Sequence, residues 1–307
     1  MNKGKASRTA EVAAAVRARH CLYESPVIFQ DPFALEFTSP TWRTIIVTKP
    51  LRWLVFERLL RTLRPVGAQV VARSRYAEDV LEQAIAAGVR QYVIVGAGFD
   101  SFALRRRDLE SSVRVFELDH PDTQQAKRER LRGHRVGLPA NLEFVAADLE
   151  RETVADALVR SGFERERPAF FSWLGTTPYL SNSATRQTLA SIGRFAATGS
   201  GVVFDYLIPD KLLLEPEKLT VEKLKRFTAR RGEPLVGAFH PEELEAMLAS
   251  GGLELVETLT PAQQEQRYFA NRRDGLRPMP ASFFAHARVS YSKLNNSVSK
   301  CPCGNVV

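Results

Sequence analysis

The stretch Tyr92-Val93-Ile94-Val95-Gly96-Ala97-Gly98-Phe99-Asp100 decides the fold of this chain. Its first four residues are apolar or β-favouring, and the run is short enough for a buried parallel strand. The strand ends at two glycines, Gly96 and Gly98, where the backbone can turn tightly and approach a ligand closely. A strand that leads into such a loop is typical of the first βαβ unit of a nucleotide-binding sheet.

The glycine loop departs from the usual dinucleotide-binding pattern, G-x-G-x-x-G, whose third glycine lets a helix pack closely. Ser101 occupies that third position, and the carboxylate of Asp100 precedes it. A carboxylate beside the loop repels a pyrophosphate but attracts a cationic ligand that has no phosphate. S-adenosylmethionine (SAM) is such a ligand, because it carries a sulfonium and an ammonium group.

Strands and helices alternate after the loop, which predicts a doubly wound α/β sheet. The further predicted strands are 113–118, 142–145, 169–173 and 201–206, followed by an antiparallel edge pair, 254–259 and 283–289. The predicted helices are 8–20, one starting at Asp31-Pro32-Phe33, 50–63, 69–87, 122–133, 152–161, 184–197, 211–231 and 241–250. We therefore expect a helical lid in residues 1–68, the sheet domain in 69–289 and a polar, disordered tail in 290–307.

Acidic residues follow the first three predicted strands. Asp119 lies 21 residues after Gly98, close to the spacing of a carboxylate that binds ribose hydroxyls. Asp148 follows the third strand, where it can accept from an adenine amino group while Leu149 packs on the ring. A helix N-cap is the alternative for any single strand-end aspartate. Three of them in register favour a ligand that contains a nucleoside.

Three motifs together resemble the leucine carboxyl methyltransferase-like family, and its bacterial SAM-dependent members most of all. They are Gly96–Asp100, Val115–Pro121 (Val-Phe-Glu-Leu-Asp-His-Pro) and Asp148-Leu149. Asp31-Pro32-Phe33 is also similar to an N-terminal element of that family, and the resemblance extends from about Ala10 to Val289. It implies a class I, Rossmann-like methyltransferase fold with a seven-stranded sheet under a helical lid.

The resemblance also implies roles for individual residues. Arg73, or Arg75 as the alternative, matches an arginine that pairs with the SAM carboxylate, and Arg17, then Arg19, is the candidate basic residue of the lid. A solvated helix face is the other interpretation of each arginine. The implied cofactor site consists of Arg17, Arg73, Arg75, Gly96, Ala97, Gly98, Asp100, Asp119, His120, Asp148 and Leu149.

The segment after the fourth predicted strand differs from the family pattern at one position. Leu174 stands where many members have glutamate, which puts one cofactor contact in doubt, although Gly175 and Tyr179 keep the register. Thr177-Pro178-Tyr179 lacks the amide or carboxylate that opens the Asn/Asp-Pro-Pro-Tyr motif of enzymes that methylate amino groups of nucleic acids. Methylation of a base is therefore disfavoured. Tyr179 and Tyr206 are the predicted acceptor-positioning residues.

We predict a SAM-dependent O-methyltransferase acting on a carboxylate or hydroxyl of a small organic molecule. Carboxyl methylation of a protein C-terminus is one alternative. An NAD-linked oxidoreductase is another, which Asp100 and the missing third glycine disfavour. The net charge of +8 suggests a third alternative, a basic module that binds nucleic acid. The basic residues are interrupted by acids and not interleaved with aromatic clusters, so nucleic acid is an unfavoured partner.

Cysteine usage and hydropathy limit the remaining possibilities. Cys21, Cys301 and Cys303 make no disulfide framework, and no metal site is predicted because the two terminal cysteines lack nearby partner ligands. No apolar run reaches transmembrane length, and no signal peptide is evident at the N-terminus. We therefore expect a cytoplasmic protein without a membrane partner. The sequence does not predict an oligomeric state.

Overall fold

The computed structural model describes residues 8–230 and 232–290 and contains one seven-stranded sheet. The strands are β1 (Gln91–Val95), β2 (Arg114–Asp119), β3 (Leu142–Ala146), β4 (Phe170–Trp173), β5 (Gly201–Leu207), β6 (Leu253–Leu259) and β7 (Ser282–Val289). Their order is β3-β2-β1-β4-β5-β7-β6. Strands β1 to β5 are parallel, and β7 runs antiparallel to both β5 and β6. The predicted doubly wound sheet and its antiparallel edge pair are confirmed.

Helices cover both faces of this sheet, and the first four of them precede it in the chain. They are α1 (Arg8–Tyr23), α2 (Pro40–Val47), α3 (Lys49–Arg52), α4 (Arg64–Ala86), α5 (Phe102–Arg105), α6 (Pro121–Gly133), α7 (Val154–Val159), α8 (Asn182–Phe195), α9 (Glu215–Ala229), α10 (Pro241–Ser250) and α11 (Pro261–Gln264). The predicted helix 50–63 is interrupted, since a π-helical turn (Trp53–Leu59) follows α3. Helix α4 begins five residues before the predicted start at Gln69, because Pro65 favours the first helical turn. The expected boundary between residues 68 and 69 therefore falls inside a helix.

The segment Asp31-Pro32-Phe33 does not start an α-helix, contrary to the prediction. The amides of Ala34 and Phe37 donate to the carbonyls of Asp31 and Ala34, at 3.2 and 3.3 Å, in consecutive turns. The Asp31 side chain is buried and accepts a charged hydrogen bond from Arg17 of α1 at 2.8 Å. A buried carboxylate requires a partner, and the guanidinium serves that need in place of a helix N-terminus.

Side chains alternate between the two faces of the sheet along each strand, and each face packs into its own apolar cluster. Val93 and Val95 of β1 point into one cluster, and Tyr92 and Ile94 point into the other. All five residues of β1 are buried, as expected for a central parallel strand with helices on both faces. The carboxyl ends of β1, β2 and β4 therefore meet at one edge, where a ligand of a doubly wound sheet binds.

The N-terminal helices lie over that edge. Phe37 stacks on Phe99 of the glycine loop, with ring centroids 5.7 Å apart. Helix α1 packs along α4 and approaches the loop at Ala10. No helix in residues 8–230 or 232–290 is long and apolar enough to cross a membrane. Cys301, Cys303 and the predicted tail, apart from Ser290, lie outside the described residues.

Candidate active site

The loop after β1 has a backbone that demands glycine at two positions. Gly96 and Gly98 have φ of +66° and +53°, a region that residues with a Cβ avoid. A Cβ on Gly96 would lie 3.0 Å from Thr176 Oγ1, and a Cβ on Gly98 would lie 3.1 Å from the Cβ of Ala10. The amide of Ala97 donates to the carbonyl of Leu118 at 3.0 Å, which fixes the turn against β2. The loop is thus held in a shape that only glycine permits.

Asp119 lies next to this loop, at the carboxyl end of β2. Its carboxylate accepts from the amide of Gly98 at 2.5 Å and from that of His120 at 2.6 Å. Burial raises the pKa of Asp119, and the two amide donors oppose that shift. His120 caps α6, because its Nδ1 accepts from the amide of Asp122 at 3.2 Å. The predicted ribose-binding carboxylate is thus brought to the glycine loop.

The other two strand-end aspartates make local turns as well. The Asp100 carboxylate accepts from the Phe102 amide at 2.7 Å, at the start of α5. The Asp148 carboxylate accepts from the Glu150 amide at 3.2 Å. Leu149 packs at the margin of the apolar cluster beneath it. Neither contact is a helix N-cap, because Ser101 and Thr153 hold that position before α5 and α7, so the capping alternative does not occur at Asp100 or Asp148.

The predicted arginines differ in where the fold places them. Arg17 donates to Asp31 and, at 2.6 Å, to the carbonyl of Phe99 in the glycine loop. Arg73 points to the end of β4 and β5 and donates to the buried Asp205 at 3.1 Å. The Arg75 side chain is 52% exposed and pairs with Asp79 on the outer side of α4. Arg17 and Arg73 are at the ligand edge, and Arg75 is not.

Arg73 belongs to a polar cluster that the sequence did not predict. Gln69 Nε2 and the amide of Gly175 donate to the Asp205 carboxylate at 3.0 and 2.5 Å. A Cβ on Gly175, whose φ is +70°, would lie 2.2 Å from Arg73 Nη2. Gly175 is therefore required for the guanidinium to reach this position. The neighbouring Leu174 packs against the apolar cluster and supplies no polar group.

The charges around the glycine loop fit SAM and do not fit a pyrophosphate. Asp100 and Asp119 place two carboxylates at the loop. The nearby guanidinium groups of Arg17 and Arg105 are already paired with Asp31 and Glu78. A sulfonium and an ammonium group suit this surplus of carboxylate, whereas phosphates meet repulsion.

A cavity of about 130 Å³ lies between α1 and α4 and meets the cofactor side at the Arg73 cluster. Its walls come mainly from α1, α4, the turns before α4, the segment after β4, and α9. Most of its lining residues are apolar, and they include Val12, Ala13, Val16, Phe56, Leu60, Leu63, Val66, Val70, Leu207, Leu224, Phe227, Leu235 and Leu276. Polar side chains lie among them, notably Arg19, His20, Glu24, Arg64, Gln69, Arg73 and Tyr179.

The two predicted acceptor-positioning tyrosines have different surroundings. Tyr179 lines the cavity together with Arg73 and Gly175. Tyr206 is 1% exposed and packs in the core against Phe239 and Phe283, away from the cavity, so its predicted role does not match its position. The cause is strand alternation, since its neighbour Asp205 points to the face that carries Arg73.

The titratable groups of the cavity are held in hydrogen bonds. Burial raises the pKa of Tyr179 to about 12, against the weaker opposing effect of Arg73, and its hydroxyl bonds with Thr9. His20 Nε2 accepts from the amide of Ile28 at 2.8 Å, and its Nδ1 lies 2.5 Å from Glu24. Burial opposes the net lowering of the Glu24 pKa that His20 and Arg19 produce. At neutral pH the phenol of Tyr179 is a hydrogen-bond donor.

Comparison with known proteins identifies the family. Residues 10–193 match the model of the leucine carboxyl methyltransferase family. The Bacillus subtilis protein named "Putative S-adenosyl-L-methionine-dependent methyltransferase YktD" is 31% identical over 302 residues, which cover 94% of this chain and 99% of that protein. A Frankia alni protein of the same description, FRAAL3718, is 34% identical over 62% of this chain and 65% of its own length.

Two solved structures share the fold. A duf574 family protein from Streptomyces avermitilis has a TM-score of 0.61 at 15% identity, covering 94% of this chain and 99% of its own. A methyltransferase-like protein from Thermobifida fusca has a TM-score of 0.60 at 18% identity, covering 94% and 97%. These likenesses concern the fold, and the sequence matches carry the assignment. The chain belongs to the leucine carboxyl methyltransferase family and is a SAM-dependent methyltransferase.

Proposed function

We propose that the enzyme transfers the methyl group of SAM to an oxygen of a small organic molecule, a carboxylate in preference to a hydroxyl. One observation carries this proposal. An apolar cavity under α1 meets the cofactor side of the sheet at Arg73, Gly175 and Tyr179. Concave, mainly apolar pockets with a few convergent polar groups are typical sites for small ligands.

In this proposal the residues of the sheet edge hold the cofactor. The glycine loop and Asp119 bind the nucleoside, with Asp148 and Leu149 at the adenine, and Arg73 pairs with the cofactor's carboxylate. Bound SAM supplies an activated methyl group on a sulfonium, so alignment of the acceptor is the main task left to the protein. Tyr179 donates a hydrogen bond that orients the acceptor oxygen. Arg17 holds α1 against the loop through Asp31 and the Phe99 carbonyl.

The hydrogen bonding of the cavity favours a carboxylate acceptor. A hydroxyl acceptor generally needs a general base, whereas a carboxylate needs only to be positioned. The Nε2 of His20 is occupied by a backbone amide, and Glu24 is bound by Arg19 and His20. Tyr179, with its pKa near 12, stays protonated at neutral pH. Among the described lining residues we therefore find no base ready to accept the proton of a hydroxyl.

The size and cover of the cavity favour a small molecule over a protein C-terminus. Helix α1 closes one side along its length, from Thr9 to His20, and α9 closes another with Leu224 and Phe227. Apolar walls on several sides suit a small molecule better than a folded partner with its emerging chain. The alternative activity requires an open funnel at this position.

Incubation of the purified protein with tritiated SAM and fractionated cell extract tests the proposal. We expect label in the small-molecule fraction, and we expect mild base to release it as methanol if the product is a carboxyl ester. A base-stable label would indicate a hydroxyl acceptor. Label confined to protein or RNA, with none in small molecules, would overturn the proposal.

A further inference from the structure

The acceptor cavity is elongated, because it follows two antiparallel helices. On α1 its lining runs from Thr9 to His20, which spans about 16 Å at ~1.5 Å per residue. On α4 it runs from Arg64 to Arg73, about 14 Å by the same measure. A ligand that contacts both ends of the cavity must therefore be extended rather than compact or branched.

The two ends of the cavity are polar and its middle is apolar. At the sheet end, Tyr179 bonds with Thr9 and lies within electrostatic range of Arg73. At the other end, Glu57 accepts from Arg19 at 2.7 Å and lies 3.7 Å from Arg64. Between these ends the facing stripes of α1 and α4 are formed by Val12, Ala13, Val16, Val66, Gly67 and Val70.

The two arginines of the far end differ in the hydrogen bonds still open to them. Arg19 is held by both Glu24 and Glu57 and lies over the ring of Phe56 at 5.0 Å. Arg64 donates one hydrogen bond through Nη2, to the carbonyl of Asp274 at 3.1 Å. Its Nη1 lies 3.7 Å from Glu57, beyond hydrogen-bond distance. A ligand acceptor placed at this guanidinium group, which lines the cavity, would gain a charge-assisted bond.

We infer that the natural acceptor is a long, mainly apolar acid that carries a second anionic or hydrogen-bond-accepting group at the end opposite to the methylated one. The first carboxylate lies at Tyr179, beside the Arg73 cluster, and the second group binds Arg64. This inference rests on the proposed function and specifies its substrate class. Arg64 is then the residue that determines which end groups and chain lengths are accepted.

Calorimetry with acids of graded length tests the inference. The probes are decanedioic, dodecanedioic and tetradecanedioic acids and the monoacids of the same lengths, added to the full chain saturated with S-adenosylhomocysteine. We expect one diacid length to bind best, and about 10-fold tighter than its monoacid, as for a charged hydrogen bond. Arg64→Met should remove that preference. Arg61→Met is the matched control, since Arg61 is exposed and does not line the cavity.

A second variant keeps the test valid if Arg64→Met unfolds. Arg64→Lys preserves the positive charge but lacks the planar fork of N–H donors, so most of the preference should still be lost. Equal binding of diacids and monoacids by the wild type, or a preference that survives in both Arg64 variants, would overturn the inference alone. Failure of S-adenosylhomocysteine to bind would instead contradict the proposed function, and this inference with it.

Discussion

The cofactor edge of the sheet and the acceptor cavity are built from opposite kinds of residue. Beneath the glycine loop, Glu117 of β2 and Lys127 of α6 form a buried ion pair at 2.5 Å, with both side chains 2% exposed. Asp119 and the Asp31–Arg17 pair add further buried charge. The middle of the acceptor cavity, between α1 and α4, is apolar, and its charges lie at the ends.

This difference indicates that the two regions tolerate change differently. Buried charges require fixed partners, because an unpaired charge in the interior is strongly unfavourable. The glycine loop, where we propose that the cofactor binds, is therefore held in a single geometry. Apolar walls can change shape by substitutions that cost only packing energy. We therefore expect cofactor binding and acceptor choice to be separable by mutation.

The largest expected effect is on the buried pair of the cofactor edge. Lys127→Met should lower the free energy of unfolding by about 3–5 kcal/mol, because it leaves the Glu117 carboxylate uncompensated. The double variant Glu117→Gln, Lys127→Met should recover much of that loss. Urea unfolding measures both. A single variant as stable as the wild type would show that the pair does not hold the cofactor edge together.

The pH dependence of the same pair has a definite sign. Burial raises the pKa of Glu117 from its usual 4.5 to about 7, with Lys127 opposing the shift. Between pH 4.5 and about 7 the folded state therefore keeps a proton on Glu117 that the unfolded state has released. The stabilising contribution of Glu117 is lost as the pH rises through about 7. The decrease in the free energy of unfolding caused by Lys127→Met should accordingly be larger at about pH 8 than at about pH 5.

The next effect concerns cofactor affinity. Asp119→Ala should weaken SAM binding about 10-fold or more, since charged hydrogen bonds contribute about 1.5–3 kcal/mol. Asp122→Ala, on the partly exposed first turn of α6, is the matched control and should leave the affinity within about two-fold. Titration calorimetry compares the two. Equal affinities would remove Asp119 from the cofactor site.

The arginine pair of α4 tests the register of the cofactor contacts. Arg73→Lys should weaken SAM binding by about 10-fold, because the planar fork is lost although the charge remains. Arg75→Lys, which changes an exposed residue paired with Asp79, should have little effect. The reverse order of effects, measured by calorimetry, would show that Arg75 and not Arg73 contacts the cofactor.

The smallest effect is expected at Tyr179. Tyr179→Phe should lower kcat/KM about 3- to 10-fold through the loss of one neutral hydrogen bond. Because the pKa of Tyr179 is about 12, the rate of the wild type should show no tyrosine-dependent change between about pH 7 and 9. Tyr206→Phe is the control and should retain activity. A tyrosine-dependent inflection in that range would identify Tyr179 as a base.

The sequence predicted that Asp119 lies next to the glycine loop, because the signals for this proximity are local. A strand, two glycines and an aspartate after the next strand lie within one βαβ unit, so their spacing determines their proximity. The alternation of strands and helices predicted the doubly wound sheet but not the order of its strands. The π-helical turn at Trp53–Leu59 was not predictable, because tertiary packing overrides local preference there. The start of α4 at Arg64 was missed although Pro65 carries a local signal for it.

The acceptor cavity could not be predicted in the same way. Thr9, Arg64, Tyr179 and Phe227 line it together, although they come from four distant parts of the chain. Tyr206 was predicted to position the acceptor, but adjacent residues of a strand point to opposite faces, and it is Asp205 that faces Arg73. Asp31 was interpreted as a helix cap because Asp-Pro is a common start signal. In the fold its carboxylate pairs with Arg17 instead.

Filling the cavity tests the separation of the two regions most directly. Gly67 lies on α4 opposite Val16, with 3.4 Å between a Cβ placed there and Val16 Cγ1. Gly67→Leu should occupy the cavity without straining the helix, where glycine is itself unfavourable. Gly133→Leu, on the open surface of α6, is the matched control.

The measurement is S-adenosylhomocysteine affinity together with methyl transfer from tritiated SAM to small molecules, on the same preparations. We expect Gly67→Leu to bind S-adenosylhomocysteine within about two-fold of the wild type while transfer falls by about 100-fold or more, a change of about 2.7 kcal/mol. Gly133→Leu should retain both. Unchanged transfer by a folded Gly67→Leu protein would contradict the assignment of this cavity as the acceptor site.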